Sequence, residues 1–302
     1  MQSHISIPQV CVVVPNKDGL SHLSYSLPSL FASRYPNFQV VLVDDRSSDG
    51  SVEFVKTEFP TIRILNNHSK RGFAATVNVG ARYAIEHGAE FVAVFNSDIK
   101  IQEWSIAGAV DLFAVGKNIG VVGFREIIGD SGSYSALSAP GRVAWVVTEN
   151  VTGCFFMVKT SVFLKIGFFD EDYFMYGEDN DFFYRARRAG FKTISADIPV
   201  WHHGEGTIGG RPLLSTWLGY RNAVRFAVKN LGPLGVLRII GVLFYCGCFP
   251  HQEAECRDLY LKRLRRFNPL LNLLLVAASC AWNLFYLPKT LWLRFFPLGP
   301  QS

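Results

Sequence analysis

Five short apolar runs, separated by stretches of helical spacing, constrain this chain more than any other feature. Residues 10–14, 40–43, 62–65, 91–95 and 121–124 are short and rich in Val, Ile and Phe, as buried strands are. Residues 51–59 and 73–87 between them carry helical spacing, and Gly88 stops the second. Parallel neighbours need a crossover connection, so a β-α-β-α order builds a mostly parallel sheet with helices on both faces. The predicted fold is α/β and doubly wound. In such sheets the ligand crevice lies outside the carboxyl ends of the strands. The residues that follow each apolar run therefore carry most of the information about function.

Those residues are polar. Residues 10–14 lead into Pro15-Asn16-Lys17-Asp18, and 40–43 into Asp44-Asp45-Arg46-Ser47-Ser48-Asp49-Gly50-Ser51. Residues 91–95 lead into Asn96-Ser97-Asp98. Any one of these is also what a turn or a helix cap requires; three on one sheet edge point to a binding site. From about 125 to 150 (Ile127 to Asn150) Gly, Ser and Pro recur without a period, which predicts a loop. Thr152-Gly153-Cys154 and a further apolar strand at 155–158 follow. The densest stretch runs from Gly167-Phe168-Phe169-Asp170-Glu171 to Tyr176-Gly177-Glu178-Asp179-Asn180-Asp181. A helix follows with Phe182, Phe183 and Ala186 on one face, closed by Gly190, and the block ends in Val200-Trp201-His202-His203.

Carboxylates and histidines at such an edge can hold a cation against a phosphorylated ligand or serve as a general base. Asp98, with Asn96 two residues before it, is the metal candidate, because one carboxylate plus substrate phosphates holds a hard divalent ion. His202 or His203 can add a ligand from a distant strand, and a nitrogen donor admits Mn²⁺ as well as Mg²⁺. A His pair after a strand is otherwise an ordinary structural feature. Asp179 is the candidate base. Glu178, Asp179 and Asp181 crowd the start of a helix, whose positive end offsets part of their repulsion. Crowding of this kind raises the pKa of one member. The competing reading is a capping cluster with surface arginine pairs downstream.

Taken in order, these motifs resemble glycosyltransferase family 2, with the GT-A fold, and within it the bacterial rhamnosyltransferase-like members. The resemblance rests on Val12-Val13-Val14-Pro15-Asn16, the Asp44 to Ser51 stretch, Asn67, Gly72-Phe73-Ala74-Ala75 with Asn78 and Gly80, and Phe95-Asn96-Ser97-Asp98. It continues through Thr152-Gly153, the two acidic motifs and Trp201-His202-His203, and covers residues 8 to 230. It implies an inverting transfer from a nucleotide-sugar donor, dTDP-rhamnose or a UDP-sugar, to a lipid-linked or polysaccharide acceptor in cell-surface glycan synthesis. Pro15, Asn16, Asp44, Arg71 and Asn96 would line the nucleotide. Asp98 and His202, with His203 as the alternative, would hold a divalent cation, Mn²⁺ or Mg²⁺. Asp179 would be the base, and Thr152, Gly153, Glu178 and Arg221 would surround the donor sugar and acceptor. Asn96 stands where the strict motif has an aspartate. A Rossmann oxidoreductase would need G-x-G-x-x-G after the first strand, where this chain has Pro15-Asn16-Lys17-Asp18-Gly19. A nucleotidylyltransferase leaves Glu178-Asp179 unexplained; the alternative is a catalytically inactive, membrane-bound nucleotide-sugar-binding or scaffold protein on the same fold, against which Asp98 and Asp179 argue.

Beyond residue 230 the composition shifts. The chain has 302 residues, 49% of them hydrophobic, and the apolar ones concentrate at 231–249 and 270–287. This predicts a catalytic domain over 1–230 and an apolar, basic helical region over 231–302. Each apolar segment is near the lower limit for spanning a bilayer. If 231–249 crossed, Arg257, Lys262, Arg263, Arg265 and Arg266 would fall outside, against the positive-inside tendency. A re-entrant or interfacial, membrane-associated region is therefore expected, with a soluble helical subdomain and true spans as the alternatives. The six cysteines, Cys11, Cys154, Cys246, Cys248, Cys256 and Cys280, show no zinc spacing, which fits a reduced compartment. No basic stretch followed by an apolar one opens the chain, so the expected location is the cytoplasmic side of the inner membrane. A net charge of +5 suits a phosphate-rich ligand or an anionic bilayer, and no nucleic-acid partner is expected.

Overall fold

The structure, a computed structural model, describes residues 7–129, 134–204, 211–248 and 269–296. These divide into two compact units. One holds the described residues up to 174 together with 182–204, and the other holds 175–181, 211–248 and 269–296. The division falls before the composition change at 230.

In the first unit, strands β1 (Val10–Asn16), β2 (Phe38–Asp44), β3 (Arg63–Asn66) and β4 (Phe91–Phe95) pair in parallel in the order β3-β2-β1-β4. Helices α1 (Leu20–Phe31), α2 (Ser51–Glu58) and α3 (Gly72–Glu86) make the crossovers that parallel pairing requires. The sheet then becomes mixed. β8 (Phe155–Lys159) lies antiparallel between β4 and β6 (Ile119–Ile128), and β9 (Lys192–His202) runs parallel to β6. β5 (Ile99–Ile101) and β7 (Trp145–Val147) are short antiparallel partners of β9.

Both sheet faces are covered, which is why β1 is apolar at every position from Val10 to Val14 rather than alternating. Val10, Val12 and Val14 pack with α1, α2 and α4 (Ser105–Val115). Cys11 and Val13 pack with α3, α5 (Thr160–Ile166) and the Phe182, Phe183, Ala186 face of α6 (Glu178–Arg188). α3 lies so close to β1 that a Cβ on Gly80 would stand 2.3 Å from Val13 Cγ1. Part of the stretch read as a loop is ordered strand: β6 continues past Phe124 to Ile128, and Trp145–Val147 pairs with β9. Ile127 and Ile128 extend the apolar run once Arg125 and Glu126 are passed, and β9 supplies the partner that local spacing could not show.

The second unit is helical, with α7 (Pro212–Asn230), α8 (Pro233–Cys248), α9 (Pro269–Phe285) and α10 (Leu287–Phe295) around a small core of Tyr220, Val224, Leu243, Leu275 and Val276. Among the described residues no single helix is long and apolar enough to cross a membrane. The pair α9 and α10 meets the length and composition test only when joined across a 63° bend. The basic cluster from Arg257 to Arg266, and Cys256, lie outside the described residues.

Candidate active site

Parallel pairing sets Asn16 opposite Asp44 at the carboxyl ends of β1 and β2. Asn16 is 1% exposed, and its Nδ2 lies 2.9 Å from Asp44 Oδ1, 2.9 Å from Ser51 Oγ and 3.0 Å from Ser47 Oγ. Asp44 Oδ2 accepts the Ser47 N–H at 2.9 Å. Pro15 precedes them in β1, opposite Val43. The loops above are strained: Asp18 and Arg46 adopt φ of 51° and 65°, a conformation that costs non-glycine residues about 1–3 kcal/mol and tends to persist at functional sites. Lys17 Nζ donates to the Arg46 carbonyl at 2.6 Å and joins the two strand ends.

Asp45 does a different job. Its carboxylate accepts from Asn67 Nδ2 and from the backbone N–H groups of Arg71 and Gly72, so it caps the start of α3 from another segment. Gly72 has φ of +80°, and a Cβ there would sit 2.4 Å from the Phe174 carbonyl oxygen. The Arg71 guanidinium pairs with Glu171, whose other oxygen accepts from Asn78 Nδ2 at 3.0 Å. Asn78 also exchanges hydrogen bonds with the Phe169 backbone. The first acidic motif is thereby tied to the helix that opens with Arg71-Gly72.

On the strand beside β1, β4 ends at Phe95, and Asn96 donates its N–H to the Cys154 carbonyl at 3.0 Å. Asn96 Oδ1 is buried without a hydrogen-bond partner among the described residues. Asp98 is buried, and its Oδ2 lies 3.2 Å from His202 Nε2. The other ring nitrogen of His202, Nδ1, bonds Glu126 Oε1. Burial opposes ionisation of Asp98, but the hydrogen bond and charge of His202 prevail and hold its carboxyl below the ordinary range. Burial works against the imidazolium too, and the two carboxylates override it, raising His202 to about 9. His203 touches Asp98 through the backbone, its N–H donating to the Asp98 carbonyl at 3.0 Å, and its ring leans on His22 with centroids 5.4 Å apart. Of the two histidines, His202 has its ring on the Asp98 carboxylate. Thr152 Oγ1 lies 3.3 Å from Cys154 Sγ, and Gly153 between them is partly buried.

Glu178 and Asp179 open α6 and belong, with Arg221, to the helical unit. Glu178 is the member of the cluster whose pKa is driven well up, by burial first and by Asp179 second; its Oε2 is buried without a hydrogen-bond partner among the described residues. Asp179 Oδ1 accepts the Asn180 N–H at 2.7 Å. Asp181 is an anchor: fully buried, it accepts from Lys229 Nζ at 2.9 Å and Asn230 Nδ2 at 2.8 Å. Asn222 Nδ2 holds the Met175 and Tyr176 carbonyls, fixing the chain that enters α6. Arg221 is buried, with Trp217 and Trp282 at 5.2 and 4.6 Å from its guanidinium. Sequence reasoning missed Glu126, Asn222 and Lys229. Asn222 directly follows Arg221, whereas nothing local marked the other two.

Residues 11–180 match the model of Glycosyl transferase family 2. Among curated proteins, the chain is similar to the N-acetylglucosaminyl-diphospho-decaprenol L-rhamnosyltransferase of Mycobacterium tuberculosis, 26% identical over 231 residues, 63% of this chain and 75% of that one. It is also similar to the UDP-Glc:alpha-D-GlcNAc-diphosphoundecaprenol beta-1,3-glucosyltransferase WfgD of Escherichia coli, 26% identical over 179 residues, 55% of this chain and 68% of that one. Among solved structures, the mannosyltransferase PcManGT of Pyrobaculum calidifontis, in complex with GDP-Man and Mn²⁺, superposes with a TM-score of 0.55 at 16% identity over 93% of this chain and 76% of that one. GalNAc-T7 with UDP, GalNAc and Mn²⁺ gives a TM-score of 0.59 at 14% identity, over 92% and 58%. At such identities the two structures bear on the fold alone, which is GT-A-like. The chain belongs to glycosyl transferase family 2 and is a glycosyltransferase.

Proposed function

From a family 2 glycosyltransferase with this strand-end site, we propose a transfer of a sugar from a nucleoside diphosphate to a lipid-linked acceptor hydroxyl in cell-surface glycan synthesis. The observation that carries the reading is the largely buried Asp98–His202 pair, which joins the segment after β4, the neighbour of β1, to the end of β9. Asn16 and Asp44, with Pro15, Arg71 and Asn96, are proposed to receive the nucleotide.

The donor set fits a divalent cation: a carboxylate oxygen, Asp98 Oδ2, and an imidazole nitrogen, His202 Nε2, come together at 3.2 Å. The buried Asn96 Oδ1, which has no hydrogen-bond partner among the described residues, is a further oxygen just beyond β4. Asp98 and His202 would hold the ion. When bound, it takes up charge on the departing diphosphate.

Asp179 is proposed as the base that accepts the acceptor's proton in a single, inverting displacement. Glu178, whose carboxyl is pushed up by burial and by Asp179, is proposed to donate a hydrogen bond to the donor sugar or the acceptor when protonated. Thr152, Gly153 and Arg221 are assigned to the same substrates. Polyprenyl-diphosphate acceptors in the names of both relatives support the lipid-linked class, and rhamnosyl and UDP-Glc in those names support dTDP-rhamnose or a UDP-sugar as donor. The helical unit exposes Leu234, Leu284, Phe285, Trp292 and Phe295. That apolar surface supports residence on a membrane, with the anionic cytoplasmic leaflet the proposed side.

Thermal shifts across a panel of nucleotide sugars, with and without Mn²⁺, test the reading when Asp98→Asn runs alongside. Stabilisation by one nucleotide class, dependent on the metal and lost in the variant, is expected. A folded wild-type chain that shifts with none of them overturns it.

A further inference from the structure

Glu126 lies on the part of β6 beyond Phe124. Against β9 the register breaks there: Gly123 stands opposite Ser195, but Arg125 stands opposite Pro199. Breaks of this kind re-aim side chains. Past it, Glu126 faces Val200 and Ile128 faces His202, so Glu126 and His202 are diagonal neighbours on one face of a parallel pair. Both side chains are largely buried, at 16% and 17% exposure.

The two nitrogens of an imidazole point away from each other. With Nδ1 on Glu126, His202 presents Nε2 to Asp98. In the neutral ring a carboxylate on Nδ1 keeps the proton there and leaves the Nε2 lone pair for a metal. It is the His202 ring that meets the Asp98 carboxylate, while His203 donates its backbone N–H to the Asp98 carbonyl. We propose that Glu126 is a positioning residue: it fixes His202 in the Nδ1–H form and so selects His202, over His203, as the nitrogen ligand of the divalent cation at Asp98. The inference rests on the metal site proposed above.

A rival arrangement exists, because ligand atoms of Glu126, Cys154 and His202 all lie within 4.8 Å of one another. Two points weigh against a cation held there. The Glu126–His202 contact already occupies the nitrogen that would serve it. Cys154 contacts Thr152 Oγ1.

The test is Mn²⁺ binding to the full chain, read by electron paramagnetic resonance alone and with UDP, dTDP or GDP present. Glu126→Ala should weaken binding by about 10–100-fold, the usual range for a lost outer carboxylate. It should also lose the ¹⁴N imidazole coupling in the spin-echo spectrum. Glu126→Gln should restore most of both, since its amide oxygen still accepts from Nδ1, and its metal-free melting temperature reports folding. Asp98→Asn and His202→Ala separate the two levels. If they abolish binding while folded Glu126→Ala and Glu126→Gln bind as wild type, the positioning role fails alone. If they leave binding intact, or wild type shows none with any nucleotide, the metal site fails and Glu126 with it. Loss in His203→Ala but not His202→Ala overturns the selection, as does Zn²⁺ binding that survives Asp98→Asn and is lost in Cys154→Ser.

Discussion

The α/β unit and the helical unit differ in where their buried polar residues lie. In the first, β1 is apolar from Val10 to Val14, ion pairs such as Arg34–Glu103 and Arg125–Asp197 lie in solvent, and buried polar groups gather at the strand ends. In the second, Arg225 is fully buried against Thr290, Asp181 is buried against Lys229, and Asn272, Ser279 and Asn283 are interior. Its exterior carries Leu234 at 82% exposure and Phe285 at 78%. The first is held by apolar area, at roughly 25 cal/mol per Å². The second relies on a few directional polar contacts, and its outer surface is of the kind that marks a partner or a lipid phase.

The largest break in that contrast comes from its buried ion pair. Asp181→Ala removes the buried carboxylate that Lys229 and Asn230 donate to and should cost about 3–5 kcal/mol in denaturant unfolding, while an apolar replacement of both Asp181 and Lys229 should recover much of it. A loss under about 1 kcal/mol would mean that the polar interior is solvated and that the two units are held alike. Next comes Gly72→Ala, which combines an unfavourable φ with a clash on the Phe174 carbonyl. It should cost about 1–3 kcal/mol, and an unchanged melting temperature would show that the start of α3 yields freely.

A smaller effect is expected from pH. In the metal-free chain His202 is raised from 6.5 to about 9. A raised cation contributes stability that is complete below the unfolded value and lost as pH rises through the folded one. Stability of the α/β unit should therefore decline between pH 6.5 and 9, and the decline should vanish in His202→Gln; the same slope in that variant would place its origin elsewhere. The smallest effect on stability belongs to Phe285→Ser and Phe295→Ser, within about 0.5 kcal/mol, as for other exposed positions. The same changes should reduce sedimentation with anionic vesicles. Undiminished sedimentation would remove the apolar exterior as a lipid contact.

The parallel half of the sheet, its helices and the polar ends at Asn16, Asp44 and Asp98 were legible in the sequence. Local apolar periodicity reports burial directly, and parallel strands must end on a common edge. Other features were not legible. The distinction between His202 and His203 depends on which ring reaches the Asp98 carboxylate, and alternation along a strand does not say which residue faces a given partner. Glu126 was read into a loop because its strand is specified by β9, some seventy residues further on. Asp181 shares its motif with Asp179 and differs only in meeting Lys229 and Asn230 across the fold. The sequence by itself determined which segments are strands and helices and where polar chemistry collects, because those follow from spacing along one chain. Only the tertiary structure decided which polar groups touch, because a hydrogen bond is set by a few ångströms between residues that no local period relates.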